Sequence, residues 1–417
     1  MTSATDDLLS LPPYGVPPDV KSAALLAAVR EEIAHHYVNC PPYARWCRQQ
    51  GFDPQRPIND VAAVPPLPVG IFKRMLLASV PESQIVRVLT SSGTSGQTPS
   101  RIPLDQTTRN RQMKALGAIL SQRLGGPRRP FLILDAPPDS REQGAGSREK
   151  EMRLLPAPCS LPPAPSSLSA RVAGMRGYLI AATEQEYALR RDGDRLTLDR
   201  EKLQATVARW TAEGKPFCLL GYTYLLYEHV LRPLAEAAAS IALPPTSFVI
   251  HFGGWKKLQQ QAVTKAVLNE QTAKVFGLRP SAIVDVYGFT EQLGVIYPDD
   301  PLGVKHVPTY SEVLVRDPRS LEIVPDGQVG LLEFVCPLPH SYPGVAVLLE
   351  DMGRIVREKG DSPHLCDDHA NMVPASGPCR QMGTVPFFTH GCHGTAFEIL
   401  GRAERAEIRG CGDTLPG

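Results

Sequence analysis

The sequence predicts an α/β fold with largely parallel strand pairing in its middle and a β-rich later part. Between residues 84 and 287 predicted strands alternate with predicted helices. This alternation is typical of parallel sheets, because parallel neighbours need a long crossover connection. From Val313 onward short strands dominate, with a turn signal at Pro325-Asp326-Gly327. A chain of 417 residues can bury one large core or two unequal ones.

Each element is predicted from the period of its hydrophobic residues and from the residues that flank it. A period near 3.6 predicts a helix, and a short apolar run predicts a buried strand. Asp105 is the predicted N-cap of its helix, because its side chain can accept from backbone N–H groups of the first turn. The predicted elements are, in chain order, a helix at 21–40, an extended connector at 64–72, a strand at 84–90, a helix at 105–120, a strand at 130–135, a helix at 200–212, a strand at 216–220, a helix at 223–239, a strand at 247–252, a helix at 258–276, and strands at 282–287, 312–317, 330–335 and 345–356.

The composition argues against several classes of protein. Lys and Arg total 44 against 43 Asp and Glu, a formal net charge of +1, so no charge bias indicates nucleic acid or a membrane surface as partner. No segment has the apolar run of a membrane span, and the N-terminus lacks the pattern of a secretory signal. Nine cysteines, an odd number, fit reduced thiols in a cytoplasmic protein better than a disulfide framework.

The composition also predicts how the chain is divided. We predict one α/β domain at 1–355 and a C-terminal stub rich in Cys, His and Gly at 356–417. Residues 136–167 are rich in Pro, Ser, Gly and charge, which predicts a long loop or a mobile insertion without regular structure.

The strongest local signal is a hydroxyl- and Gly-rich loop that follows the strand at 84–90. Backbone N–H groups of such a loop can surround phosphate oxygens, and its hydroxyls add neutral donors. The Gly-Lys-Ser/Thr ending of a Walker loop is missing, and a flexible surface loop is the alternative. The candidate phosphate-binding residues are Ser91, Ser92, Gly93, Thr94, Ser95, Gly96 and Thr98.

A second signal directly follows the predicted strand at 282–287. Tyr287-Gly288-Phe289-Thr290-Glu291 stands where α/β folds bind ligands, at the carboxyl end of a strand. Glu291 can hold Mg²⁺, which prefers one or two carboxylates together with phosphate oxygens. Thr290 can donate to a phosphate, and Tyr287 can pack beside a nucleotide. The alternative is an ordinary turn with a solvated Glu.

Together these segments resemble the adenylate-forming enzyme superfamily, because three further matches follow in the expected order. Gly253 and Gly254 correspond to the adenine-side Gly pair, Asp351 to the carboxylate that binds the ribose hydroxyls, and Arg402 to the start of the hinge segment. Gly-Gly-Trp-Lys at 253–256 and SARVAGMRGYL at 169–179 narrow the similarity to the acyl-protein synthetases, which are related to phenylacetate–coenzyme A ligases.

The resemblance implies the fold and the reaction. It implies the N-terminal-domain type of the adenylate-forming fold, with mixed and parallel sheets flanked by helices, and with the usual C-terminal domain absent or reduced. It implies that a carboxylic acid, by the family a fatty acid, attacks the α-phosphate of ATP in the presence of Mg²⁺ and forms an acyl-AMP. Gly221, Tyr222 and Trp255 are the predicted substrate pocket.

The acceptor of the acyl group is Cys411 in one interpretation. The acyl-protein synthetases use a cysteine near the C-terminus, and Cys411 matches it between Gly410 and Gly412, where glycines leave the chain free to swing. The acyl group would then pass to an acyl-accepting reductase or carrier protein. In a second interpretation coenzyme A or another small nucleophile is the acceptor. In a third, the chain is a degenerate, non-catalytic binding subunit.

The remaining Cys and His residues have weaker interpretations. The tail contains zinc-type ligands without a recognised spacing, and an irregular loop is the alternative. His35 and His36 are predicted to be solvated surface, and Cys40 and Cys47 to be core or interface residues. The residues in the tail are His364, Cys366, His369, Cys379, His390, Cys392 and His393.

Overall fold

The computed structural model describes residues 3–90, 99–126, 128–137, 175, 177–193, 195–255, 261–300, 303–356 and 395–403. The elements are α1 (Ala4–Leu8), α2 (Pro18–Asn39), α3 (Pro41–Gln49), β1 (Leu67–Pro68), α4 (Ile71–Arg74), β2 (Arg87–Thr90), β3 (Arg101–Leu104), α5 (Gln106–Arg123), β4 (Arg129–Ile133), β5 (Ala182–Tyr187), β6 (Leu189–Asp192), β7 (Arg195–Leu198), α6 (Arg200–Ala212), β8 (Cys218–Tyr222), α7 (Thr223–Leu226), α8 (Arg232–Glu236), β9 (Phe248–Phe252), α9 (Lys265–Phe276), β10 (Ile283–Tyr287), β11 (Tyr297–Pro298), β12 (Lys305–His306), β13 (Glu312–Arg316), β14 (Gly330–Val335), β15 (Ala346–Ile355) and β16 (Ala396–Arg402).

The chain forms two compact units. Of the described residues, unit 1 contains those within 1–89, 100–126 and 287–417, and unit 2 contains those within 90–99 and 127–286. The division predicted from the sequence, 1–355 and 356–417, stays a prediction, because most of the second part lies outside the described residues. Most of the predicted loop at 136–167 lies outside them as well. Among the described residues no helix is long and apolar enough to cross a membrane.

Unit 2 is built on a parallel sheet. Its strands follow the order β10-β9-β8-β4-β5, and each neighbouring pair is parallel. The register of β8 on β9 pairs Gly221 with His251 and Tyr222 with Phe252, so the carboxyl ends of these two strands lie side by side. Trp210 and Phe217 are fully buried in its core. The predicted parallel α/β arrangement is confirmed.

Unit 1 contains an antiparallel sheet in the order β12-β16-β15-β14-β13, with β1 added in parallel beside β15. Asp351 on β15 lies opposite Arg402 on β16. A Cβ at Gly353 would lie 2.2 Å from the carbonyl oxygen of Glu398, so only glycine fits where the two strands approach. The β-rich later part predicted from the sequence is this sheet.

The N-terminal helix α2 packs with one face in the core of unit 1. Leu25, Val29 and Ile33 are buried at helical spacing, and His36 continues the same face and is fully buried. The prediction that His36 is solvated is therefore wrong, because its position on the helix faces inward and both ring nitrogens have partners. His35 is half-buried. Cys40 and Cys47 are fully buried, as core residues.

Three local predictions are corrected. The helix predicted at 258–276 begins at Lys265, where the Thr264 side chain accepts from the backbone N–H of Val267 at 3.4 Å. The helix predicted at 223–239 has a π turn at Tyr227–Leu231 in its middle. The short strands β5, β6, β7 and β16 were not predicted, because each contains polar or charged residues and lacks the continuous apolar run of a buried strand.

Candidate active site

The Thr290–Gln292 turn of unit 1 carries the predicted magnesium ligand. A short 3₁₀ turn at Thr290–Gln292 ends the extended run of β10, and Phe289 before it is extended. Glu291 is 5% exposed. Burial raises the pKa of its carboxyl group above the usual range, against the hydrogen bond of the Ser100 side chain and the charges of Lys73 and Arg402. A buried carboxylate of this kind gains from a neighbouring cation.

The Asp351 carboxylate of unit 1 is oriented by two hydrogen-bond donors. Tyr287 donates its hydroxyl to Asp351 Oδ2 at 2.6 Å, and Arg402 donates from Nε to Asp351 Oδ1 at 3.2 Å. Burial and the adjacent Asp351 charge raise the pKa of Tyr287 well above its usual value, so its proton stays on the hydroxyl. A carboxylate offers about four acceptor positions, which leaves each oxygen of Asp351 able to accept one more hydrogen bond.

Unit 2 brings the predicted Gly pair close to the predicted pocket. Gly253 has φ +76°, and a Cβ there would lie 3.0 Å from Cδ1 of Tyr222. A Cβ at Gly221 would lie 2.6 Å from Cβ of Leu134. Backbone conformation favours glycine at position 253, and close packing requires it at position 221. Gly254 and Gly288 have no such steric requirement, since a Cβ there meets nothing closer than 3.7 Å.

Aromatic rings surround this end of the parallel sheet. The ring of Tyr222 packs on Phe252 with 4.6 Å between centroids, and the ring of Tyr178 stacks on Phe252 with 4.9 Å between centroids. Trp255 meets Tyr227 of the π turn edge-on at 4.9 Å. These rings present apolar faces with few hydrogen-bonding groups, a surface suited to an apolar chain or a planar ring.

A polar network adjoins these rings in the sequence. Thr223 Oγ1 lies 3.0 Å from His251 Nδ1, and it donates to the carbonyl of Phe252 at 3.4 Å. Asp285 lies between His251 and Lys265, at 3.7 Å and 3.6 Å. This network joins the carboxyl ends of β8, β9 and β10 beside the Gly253 turn.

Several predicted residues lie outside the described part of the chain. Among the described residues no group of three or more His, Cys, Asp or Glu can hold a metal ion. The zinc-type residues of the tail are outside that search. The predicted site residues that lie outside the described residues are Ser91, Ser92, Gly93, Thr94, Ser95, Gly96, Thr98 and Cys411.

Sequence reasoning missed several contacts of the site. Ser100 and Lys73 act on Glu291, and Tyr342 and Phe252 touch predicted site residues. Ser100 had a weak signal, because it directly follows the hydroxyl-rich loop, and Phe252 directly precedes Gly253. Lys73 and Tyr342 are far from every motif in the sequence, so no local pattern could identify them.

The residues present fit both ATP and Mg²⁺. Glu291 is a single buried carboxylate, which matches an ion that takes one or two carboxylates and completes its shell with phosphate oxygens and water. Asp351 retains acceptor capacity for two hydroxyl groups, as a ribose requires. When bound, the ion would neutralise charge on the phosphates.

The fold is similar to that of a solved ligase. An open conformation of 2-hydroxyisobutyryl-CoA ligase, crystallised with 2-HIB-AMP and CoA, is 14% identical and aligns with a TM-score of 0.55 over 83% of this chain and 72% of that chain. The chain therefore shares the fold of this ligase, and the predicted α/β fold class is confirmed.

Sequence comparisons then define the family. The family model "Acyl-protein synthetase, LuxE" matches residues 1–366, and the chain belongs to this family. Long-chain-fatty-acid–luciferin-component ligases are among its relatives. The protein from Vibrio harveyi is 24% identical over 336 residues, 80% of each chain. The protein from Aliivibrio fischeri is 24% identical over 334 residues, 79% of this chain and 78% of the relative. The predicted enzyme class, an ATP-dependent ligase that activates a carboxylic acid, is confirmed.

Proposed function

We propose that the chain joins a fatty acid to AMP at the residues described above and then transfers the acyl group to its own Cys411. In the first step a carboxylate oxygen bonds to the α-phosphorus of ATP while the bond to the β-phosphate breaks and pyrophosphate leaves. In the second step the Cys411 thiolate bonds to the acyl carbon and AMP leaves. The observation that carries the proposal is the Glu291 carboxylate, which is buried in the turn at Thr290–Gln292 directly after β10.

The residues of unit 1 serve the nucleotide. Glu291 would hold Mg²⁺, and Thr290 would donate to the α-phosphate. Asp351 would accept from both ribose hydroxyls, because Tyr287 and Arg402 fix its orientation and leave one acceptor position on each oxygen. Phosphate binding by the hydroxyl-rich loop from Ser91 to Thr98 stays a prediction. No side chain has to act as a base, because the acid is already ionised near neutral pH.

The residues of unit 2 support a fatty acid as the substrate. Tyr222 and Trp255, which are half-buried, offer apolar ring faces, and burial of a chain against such faces is favourable by about 0.8 kcal/mol per CH₂ group. The names of the two relatives specify a long-chain fatty acid for those proteins. Gly253 leaves room for the Tyr222 ring, because a Cβ at position 253 would lie 3.0 Å from Cδ1 of that ring.

The described cysteines support an acceptor elsewhere in the chain. Burial raises the pKa of Cys47 to about 11 and those of Cys218 and Cys336 to about 12, and it raises the pKa of Cys40 as well. All four thiols are free and buried. A thiol is nucleophilic as the thiolate and when accessible, so these four are poor acceptors. Cys411 is favoured among the remaining five because it matches the family's acceptor and lies between glycines.

The proposal can be tested with one labelling experiment. Purified protein is incubated with ATP, Mg²⁺ and each of a panel of labelled acids, and both pyrophosphate exchange and protein-bound label are measured. We expect exchange to be fastest with long-chain fatty acids and the bound label to be released by hydroxylamine. Absence of exchange with every acid would show that the proposed first step is wrong.

Two matched serine variants identify the acceptor. Cys411→Ser should keep pyrophosphate exchange and lose the bound label, because a serine hydroxyl is a far weaker nucleophile than a thiolate. Cys392→Ser, in the same tail, should keep both. Label that appears only after coenzyme A is added, and that ignores Cys411→Ser, would instead support the coenzyme A ligase. An acyl-accepting reductase or carrier protein as the final partner stays a prediction.

A further inference from the structure

The turn that carries Glu291 is held by two side chains outside the predicted site. Tyr342 is fully buried, and its hydroxyl donates to the backbone carbonyl of Glu291 at 2.8 Å. Gln292 is 1% exposed, and its Nε2 group approaches the carbonyl oxygens of Gly344, Phe334 and Val345 at 2.8, 3.0 and 3.2 Å. The turn is therefore held through the backbone carbonyl of Glu291 and through the side chain of Gln292.

Both holding contacts involve the connection between β14 and β15, residues 336–345. The connection is closed by a hydrogen bond from Cys336 N to Val345 O at 2.7 Å. Ser341 fastens it to other parts of unit 1: its hydroxyl donates to Pro103 O at 2.8 Å, and its carbonyl accepts from Ser79 N at 2.8 Å. Tyr342, the next residue, is thus attached to a rigid support.

The connection at 336–345 contains a close approach between the backbone at Gly344, the Tyr342 ring and the Glu291 carbonyl. A Cβ at Gly344 would lie 2.4 Å from Cε2 of Tyr342 and 3.1 Å from the Glu291 carbonyl. Only glycine lets the tyrosine ring and the Glu291 backbone meet here. The packing of Tyr342 therefore acts on the backbone of Glu291, one residue from Thr290.

We propose that Tyr342, supported by Gln292, is a positioning residue that sets the Glu291 carboxylate for the Mg²⁺–ATP complex. This inference rests on the proposed metal role of Glu291. Tyr342 touches neither metal nor substrate in the proposal; its hydroxyl fixes the backbone from which the carboxylate projects. Small errors in the placement of a charged group reduce catalysis by large factors, because charge stabilisation depends on preorganised geometry.

The test uses Tyr342→Phe with a matched control. The substitution removes one hydroxyl and keeps the ring. Tyr310 provides the control because it is equally buried in unit 1 and its hydroxyl also donates to a backbone carbonyl, that of Leu11, at 2.8 Å. Tyr310→Phe removes the same kind of hydrogen bond without a link to Glu291, so the two variants should lose similar stability.

Metal affinity is the readout that separates positioning from folding. Mn²⁺ binding in the presence of α,β-methylene-ATP is followed by electron paramagnetic resonance, beside the Mg²⁺ concentration that gives half-maximal pyrophosphate exchange. Both values should shift by about fivefold or more in Tyr342→Phe, with the KM for the acid unchanged, and stay near wild type in Tyr310→Phe. Without nucleotide, amide hydrogen exchange of residues 289–295 should be faster in Tyr342→Phe alone.

Two further variants, Gln292→Met and Glu291→Gln, separate the positioning role of Tyr342 from the metal role of Glu291. Gln292→Met releases the turn from its other side and should share the metal phenotype of Tyr342→Phe. Equal metal affinity in Tyr342→Phe and Tyr310→Phe, with Glu291→Gln impaired, would overturn the positioning role and leave the proposed function intact. Wild-type Mn²⁺ affinity in Glu291→Gln would instead refute the metal role on which the inference rests.

Discussion

Two of the buried glutamates of unit 1, Glu32 and Glu291, are in opposite electrostatic situations. Glu32 is 1% exposed and Glu291 is 5% exposed. Glu32 accepts from Arg111 Nη1 at 2.6 Å and from His340 Nδ1 at 3.2 Å. Although burial acts to raise it, the pKa of Glu32 is lowered overall by His340, Arg111 and His36. The pKa of Glu291 is raised, because burial outweighs its hydrogen bond and nearby charges.

The opposite pKa shifts of Glu32 and Glu291 distinguish a carboxylate with a structural role from a carboxylate that can bind a cationic ligand. A buried carboxylate whose charge is balanced inside the protein is already stabilised, and it gains little from an added cation. One whose charge is incompletely balanced gains from a metal ion that arrives with the substrate. Burial alone therefore does not identify the site, and a raised pKa does not either, because burial also raises the pKa of Glu333 to about 7 although Arg316 is paired with it. Glu291 is distinguished from both Glu32 and Glu333 by its place in the predicted motif at 287–291. The following predictions test this contrast.

The largest expected effect is on stability at Glu32. Glu32→Gln keeps the size of the side chain but leaves Arg111 buried without its close counter-charge. Removing one partner of a buried ion pair costs about 3–5 kcal/mol. Urea denaturation should show this loss in the free energy of unfolding. A loss below about 1 kcal/mol would mean that Glu32 is not the structural charge described here.

Glu291→Gln should lose activity and keep its stability, whereas Glu32→Gln should lose stability. Acyl-AMP formation should fall about a hundredfold or more, as expected when a preorganised charge contact at a phosphate is lost. The free energy of unfolding should be unchanged or higher, because a buried charge has been removed. Pyrophosphate exchange and urea denaturation of the same preparation measure both. A variant that unfolds more readily and still turns over at the wild-type rate would reverse the contrast.

Asp351 should behave like Glu291 with a smaller effect. Asp351→Ala removes the acceptor for both ribose hydroxyls, and we expect the apparent affinity for ATP to fall about tenfold, the value of one charge-assisted hydrogen bond. The preference among acids should not change, because the aromatic region belongs to unit 2. Exchange rates measured against ATP concentration, with two acids of different length, provide the check. An unchanged ATP affinity would leave Asp351 as a partner of Tyr287 and Arg402 only.

Local signals predicted the fold better than the environment of the site. The Asp105 cap is present, accepting from Thr108 N at 2.7 Å, and Tyr287, Asp351 and Arg402 are joined by hydrogen bonds although far apart in sequence. These residues belonged to motifs, whereas Tyr342 and Lys73 belong to none. Their relation to Glu291 depends on tertiary packing, which a single sequence does not display. The catalytic roles of the motif residues stay predictions.

The error at His36 has a physical cause that the sequence contained. Two adjacent histidines look solvated when read as a polar pair. On a helix, however, residues 29, 33 and 36 share one face, and two of them are apolar. The ring of His36 is satisfied there: Nδ1 accepts from the Ser79 hydroxyl at 2.8 Å and Nε2 donates to Pro339 O at 3.1 Å. Helical position was therefore a better guide than residue type.

The smallest expected effect is the pH dependence that this burial imposes. Burial lowers the pKa of His36 from 6.5 to about 3. Between these values the unfolded chain binds a proton that the folded chain does not, so the stability provided by neutral His36 is complete above pH 6.5 and falls as pH decreases. From pH 6.5 to 5.5 this group should cost about 1 kcal/mol.

Other groups around His36 titrate in the same network, so a variant is needed to isolate it. His340 has a raised pKa, chiefly from its hydrogen bond to Glu32, and it acts in the opposite direction: its contribution is complete at low pH and is lost as pH rises. His35 has a lowered pKa, chiefly through burial, and Glu32 faces all three histidines. The difference between wild type and His36→Asn in urea denaturation should therefore shrink by about 1 kcal/mol between pH 6.5 and 5.5. A difference that stays constant over this range would show that His36 takes up protons equally in the folded and the unfolded protein, so that its burial does not keep the ring neutral.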